Sequence, residues 1–143
     1  MLKIARLSRD DARLLIEGAT AKAEQIGVPM CIAVTDESGN TIAFERMDGG
    51  KILSIDIACD KAMVAAAQRK STADYNKAVQ AEGSLTFGIH TAAGGRFSIV
   101  GGGIPVQDGD AVVGGIGCSS GTPDQDGTCA EAGIRHWQAK RGA

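Results

Sequence analysis

Residues 30–47 read "MCIAVTDESGNTIAFERM". Cys31–Thr35 and Thr41–Arg46 are rich in strand-forming residues, and Asp36-Glu37-Ser38-Gly39-Asn40 between them is turn chemistry. The stretch predicts a β-hairpin, and a hairpin means antiparallel pairing. Upstream, Ser8 is a good N-cap, and Asp10 and Asp11 suit the positive end of a helix dipole. Apolar residues then recur at Ala12, Leu15, Ile16, Ala19, Ala23 and Ile26, which is helical spacing. Gly27 ends that helix and Pro29 prevents its continuation. Downstream, "DGGK" at 48–51 is a second turn. Ser54 to Gln68 reads as a helix, and a shorter helix capped by Ser71 or Thr72 covers Ala73 to Gln80. Ser84 to Gly95 reads as irregular.

The C-terminal half repeats the hairpin logic. "RFSIV" at 96–100 reads as a short strand, "GGGIPV" at 101–106 leads into another, "QDGD" at 107–110 is a turn, and "AVVGGIGCSS" at 111–120 is a further strand. Thr122 followed by Pro123 opens a closing helix on which Ala130, Ile134 and Trp137 pack inward. The expected architecture is one α/β domain of the α+β type over residues 1–143. It has a five-stranded, mainly antiparallel sheet flanked by about four helices.

Composition excludes several function classes. Hydrophobic residues make up 43% of the chain, so it folds rather than remaining disordered. The net charge of −2 comes without a basic stripe, and one Trp and one Tyr provide no base-stacking platform, which argues against nucleic acid as a partner. No stretch approaches the roughly 18 apolar residues of a membrane span, and the N-terminus lacks a signal peptide's apolar core; the expectation is a cytoplasmic protein. Cys31, Cys59, Cys118 and Cys129 form no CxxC pair and match no metal-site spacing, so they read as reduced thiols.

Two glycine clusters, "IVGGGIPV" at 99–106 and "GGIGCSSG" at 114–121, invite a phosphate-loop reading. A Walker loop requires Gly-Lys-Ser or Gly-Lys-Thr, and neither occurs. The dinucleotide fingerprint fails too, because Ser120 stands where its last glycine belongs and too few residues follow Gly121 to complete a βαβ unit. What remains is geometric. Glycines on facing strands leave room for a flat ligand or for another backbone. The free N–H groups at the start of the last helix keep some capacity for an anion, which Asp124 and Asp126 weaken.

Four segments together resemble the GlcG/HbpS-like family, also found as the C-terminal domain of PduO-type proteins. They are "AEQIGVPMCIAVTDESGNTIAFERMDG", "SIDIACDKAMVAA", "GGRFSIVGGGIPV" and "VVGGIGCSSGTPDQD", spread over about residues 8–137. The resemblance implies homo-oligomers with small-ligand sites near subunit contacts, and some members bind haem. Arg46, Asp48 and Gly49 fall on the family's "RMDG". An Arg there can hold a ligand carboxylate bidentately with Asp48 orienting it, or it can close a turn as an ion pair. Lys61 can neutralise a carboxylate or act as a base, or lie along the surface with its head in water.

The first expectation is a protein holding haem, a corrinoid or another small ligand between the glycine-rich strands and the central helix. Arg46, Asp48, Lys61, Gly102, Gly103, Gly117, Cys118 and Ser119 are its candidate contacts. Haem needs an axial ligand, for which His90, His136, Cys118 and Met47 are the candidates. The alternative is a catabolic-pathway enzyme acting on a small carboxylated metabolite by tautomerisation, hydration or deamination, with Arg46 as anchor and Lys61 or His90 moving protons.

Overall fold

The computed structural model describes residues 1–79 and 86–143, with the side chains of 86–87 also outside the description. Helix α1 spans Arg9–Ile26, strand β1 Cys31–Asp36, β2 Thr41–Arg46, α2 Ser54–Gln68, α3 Thr72–Ala78, α4 Thr86–Ala92, β3 Gly103–Asp108, β4 Ala111–Ser119 and α5 Pro123–Lys140. The four strands form one antiparallel sheet in the order β2-β1-β4-β3. Helices α1 and α5 cover one face and α2 the other. The larger core lies under α1 and α5, where Leu15, Ile32, Val34, Ile116 and Trp137 meet. On the other face the interior is made of small residues: Cys31, Ala33, Ala58 and Ala62.

Local chemistry sets most element ends. Ser8 and Asp11 form a capping box at α1, and Gly27 closes that helix in the left-handed region. Thr122 and Gln125 do the same at α5, with Pro123 in its first turn. Asp11 also accepts from the Trp137 indole at 2.8 Å, which ties the two helices together. Partial burial pushes the Asp11 carboxyl up, but hydrogen bonds from Ser8 and Trp137 outweigh it and hold its pKa below the ordinary value. A lowered carboxyl pKa contributes stability that is present above the unfolded value and is lost as pH falls through the folded one. Trp137→Phe, which removes the indole donor, is expected to cost about 1 kcal/mol at pH 7. The difference from the parent chain should shrink below about pH 4, as checked by denaturant melts at both pH values.

The small residues of α1 and α5 allow close helix packing. A Cβ at Gly133 would overlap the Leu15 carbonyl oxygen, and one at Gly18 the His136 Cβ, so these two helices meet at near-backbone distance within one chain.

Two expectations need correction. The "RFSIV" segment is not a strand, which leaves four among the described residues. Gly103 points its N–H and C=O away from β4, and the Thr72 hydroxyl occupies both, at 2.9 and 3.5 Å, so a fifth strand finds no ladder there. Phe97 is instead buried edge-on against the Tyr75 ring at 5.1 Å. The segment read as irregular contains α4, giving five helices among the described residues. The expected helix end at Gln80 and the start of the irregular stretch at Ser84 lie outside the described residues.

Candidate functional site

The glycine runs settle first. Gly117 of β4 lies beside Ala33 of β1 and Gly103 of β3, making a row across the sheet almost without side chains. Helix α2 lies directly in that row. A Cβ on Gly117 would overlap the Ala58 carbonyl and stand 2.6 Å from the Ala62 nitrogen; one on Gly103 would overlap the Lys61 carbonyl. The space left by the glycines is filled by the helix backbone. Among the described residues, the row from Gly103 through Gly117 to Ala33 leaves no slot for a ligand against α2, which differs from the placement expected from sequence.

Lys61 points from α2 into the interior and is 1% exposed. Its Nζ donates to Asp126 Oδ2 at 2.8 Å and to the Cys118 carbonyl at 3.0 Å. Asp126 Oδ1 accepts from the Gly121 N–H at 2.9 Å. Gly102 passes over this pair with φ +125°, and a Cβ there would sit 2.7 Å from the Asp126 Cβ and 2.9 Å from Lys61 Nζ. Only glycine fits both that backbone angle and that approach. The ion pair joins α2, the end of β4 and the first turn of α5. The sequence gives no sign that Asp126 pairs with Lys61, because 65 residues separate the two.

The start of α5 is closed in the same way. The N–H groups of Gly121, Thr122 and Gln125 are taken by Asp126, Gln125 and Thr122 side chains. The anion capacity expected there is spent on local caps. Ser119 is buried with its hydroxyl on Ser54, at 3.2 Å. Ser120 adopts φ +127° and accepts from the Lys51 N–H at 3.0 Å, which fixes the loop leading into α2.

Arg46 and Asp48 lie elsewhere, exposed at the end of β2. The structure does not bring Arg46, Lys61 and His90 to one place. Lys61 is enclosed by its partners, Arg46 is on the outer strand, and His90 is exposed on α4, with Nδ1 3.5 Å from the Phe97 carbonyl. β2 and the entry to α2 carry a different set of exposed residues. Helix α2 packs on β4, β1 and β3 and barely reaches β2. Phe44 and Arg46 share the α2 side of the sheet, because they pair with Ala33 and Cys31 of the small-residue cluster. Phe44 is 37% exposed, Ile52 77% and Leu53 73%. Lys51 and Arg46 are exposed as well, and among the described residues neither side chain has an ion-pair partner. Half-buried Cys59 packs against the small-residue cluster of that face. Two apolar residues placed in a turn ahead of a helix, Ile52 and Leu53, were the sequence signal for this exposed set.

The potential metal donors do not converge. Burial, reinforced by Cys129 and Asp126, pushes the Cys118 thiol well above its usual range, which leaves it a core thiol rather than a thiolate ligand. Burial and the neighbouring Asp60 and Asp56 also push Cys59 up. The Met47 sulfur accepts from the Met30 N–H at 3.4 Å. His136 sits between α5 and α1 with Nε2 3.4 Å from Glu17. No group of three His, Cys, Asp or Glu suited to a metal ion occurs among the described residues, and no described helix is long and apolar enough to cross a membrane.

This geometry has close counterparts. A model of the family described as haem-degrading protein HbpS-like matches residues 7–135. A 15.0 kDa protein from the dhaT–dhaS intergenic region of Citrobacter freundii is 36% identical over 132 residues, 92% of each chain. The crystal structure of Klebsiella pneumoniae protein ORFY superposes with a TM-score of 0.92 at 31% identity, covering 97% of this chain and 95% of that one. The PduOC:haem complex superposes with a TM-score of 0.85 at 27% identity, covering 92% and 95%. On the matched sequence and the shared α+β fold, this chain belongs to the HbpS-like family.

Proposed function

We propose that this chain is a small-ligand-binding protein that works as a homo-oligomer. Its ligand is amphipathic and carboxylated, and it lies on the shelf formed by β2 and the entry to α2. The observations that carry this reading are the exposure of Phe44 on β2 and of Ile52 and Leu53 at the entry to α2, together with two exposed cations on the same segments, Arg46 and Lys51, that have no ion-pair partner among the described residues. Apolar side chains receive a hydrophobic body, and the cations receive carboxylates by charge-assisted hydrogen bonds. A haem-bound relative of the same fold supports a tetrapyrrole as the ligand class, covering haem and corrinoids.

The residues of the shelf fit the faces and carboxylates of such a ring, and they do not fit its iron. An axial position needs His, Met or a thiolate. Cys59 is the half-buried sulfur on that face, and its thiol is held protonated. Haem-iron chemistry is therefore not assigned to this chain's own residues. The acid/base enzyme is the weaker reading, because Lys61 has both its buried partners in place and does not face an open site.

Titration with haemin and with metal-free protoporphyrin IX, followed by absorbance and tryptophan quenching, tests the proposal. Both probes are expected to saturate with affinities within about threefold of each other, since the iron adds no bond. Arg46→Ala with Lys51→Ala is expected to weaken both by about tenfold or more, the equivalent of one charge-assisted hydrogen bond. No saturable binding of either probe, or binding that the double variant leaves unchanged, overturns the reading.

A further inference from the structure

Helices α1, α3 and α5 are capped by their own Ser8, Ser71 and Thr122. Helix α2 is not. Leu53 stands at its N-cap position in a helical conformation, and no side chain caps it. The entry to α2 is held from the sheet instead. The Lys51 N–H donates to the Ser120 hydroxyl, 69 residues away, at 3.0 Å. The Lys51 carbonyl accepts from the Ser54 N–H at 3.0 Å and from the Cys31 thiol at 3.6 Å. Ser119 donates to the Ser54 hydroxyl at 3.2 Å. Ser120 makes its bond from an unfavourable backbone, with φ at +127°. Among the described residues the other non-glycine with positive φ is Arg69, an ordinary left-handed helix end at +56°. Strain of the Ser120 kind persists only where surrounding contacts hold it. Here they are the Lys51 N–H on one side and, on the other, the Lys61–Asp126 pair, which grips the Cys118 carbonyl and the Gly121 N–H.

We infer that residues 50–53 form a lid that the Ser120 hydroxyl latches open, and that a carboxylated ligand on the shelf closes it; the closure rests on the ligand reading above. Gly49, at φ +89°, and Gly50 supply a pliant joint at one end of the segment. Ser54, fixed on Ser119, ends it at the other, so α2 itself stays in place. Between them Ile52 and Leu53 are held out in water, 77% and 73% exposed. A carboxylate is a stronger acceptor than a hydroxyl. It takes the Lys51 N–H from Ser120, Ser120 relaxes toward an extended backbone, and Ile52 and Leu53 fold down on the ligand's apolar body. The closed state thus gains a stronger bond, apolar cover and relief at Ser120, and that difference between states is what a ligand-driven shift requires.

Ser120→Ala removes the latch bond and keeps the strained angle, whereas Ser120→Gly removes both. Neither touches the Lys61–Asp126 pair. In the ligand-free chain, amide hydrogen exchange at Lys51, read by NMR, is expected to rise about tenfold or more in both variants, with a smaller change in the middle of α2. Ser120→Gly is expected to melt above Ser120→Ala, because glycine alone is at ease at this φ. Metal-free protoporphyrin IX is expected to bind Ser120→Ala about threefold or more tighter than the parent, since no latch has to be broken. Should Ser120→Ala fail to fold, Ser120→Gly carries the exchange and binding comparisons. Parent-like exchange at Lys51, or a glycine variant that melts no higher than the alanine one, overturns the latch. Porphyrin affinity unchanged from the parent overturns the lid. A parent chain that binds no porphyrin overturns the ligand reading and the closure with it, while exchange at Lys51 still decides the latch.

Discussion

Gly117→Ala is expected to lower the unfolding midpoint by at least about 10 °C, or to prevent the chain from accumulating in soluble form. The added methyl would overlap the Ala58 carbonyl oxygen and stand 2.6 Å from the Ala62 nitrogen and 3.0 Å from the Lys61 Cβ. All three atoms belong to α2, and two are backbone. A flexible side chain could turn aside, but a buried helix must lift off the sheet. Lifting α2 opens the contact with Ala33, Ala58 and Ala62, which are wholly buried. Overpacking of this kind costs about 3 kcal/mol or more, and a domain of this size loses roughly 3–5 °C per kcal/mol. Gly127→Ala is the matched control. It lies within α5, a Cβ there meets nothing within 4 Å, and helix propensity favours Ala by about 1 kcal/mol. The two substitutions, identical in chemistry, are expected to move thermal melts in opposite directions. A Gly117→Ala chain with an unchanged midpoint would mean that α2 does not sit in the glycine row.

The contrast shows what the sequence could and could not reveal. Element ends were readable where a cap is local: Ser8 with Asp11, Gly27, and Thr122 with Gln125 all act within a few residues. The hairpin at 30–47 carried its own turn and so announced antiparallel pairing. The glycine runs were readable as a close approach, but not as the approach of α2, because that depends on which helix crosses which strand. The fifth strand failed for a similar reason. Thr72 blocks the β3 edge from 31 residues away, and nothing in "RFSIV" reveals it. Arg46 was visible as a candidate through its match to the family's "RMDG". The exposed Phe44, Ile52 and Leu53 became informative only once α2 was seen to leave β2 bare.

Lys61→Met is expected to destabilise the chain by about 3–5 kcal/mol, the cost of leaving a buried carboxylate without its cation. Asp126 would keep only the Gly121 N–H, with its side chain 2% exposed. Asp126→Leu should cost a similar amount by stranding the ammonium against the Cys118 carbonyl. The double variant Lys61→Met/Asp126→Leu is expected to regain most of the loss, because a buried ion pair stabilises little beyond an apolar pair that fills the same space. A coupling of about 3 kcal/mol from this cycle, read by denaturant melts, identifies the pair as a tie between α2 and α5. Lys61 then binds no ligand directly, and porphyrin affinity in the double variant should stay within about threefold of the parent. A Lys61→Met chain that melts like the parent would refute the tie and return Lys61 to the list of groups free to meet a substrate. The distinction matters because Lys61 is the residue that the sequence most readily nominates for catalysis. Its burial, at 1% exposure between two fixed acceptors, makes it instead the post that holds the Cys118–Gly121 segment in place. Through Ser120 and the Lys51 N–H, that segment positions the loop bearing Ile52 and Leu53. Loss of the pair therefore acts on the shelf through the fold, and restoring an apolar contact in its place restores both.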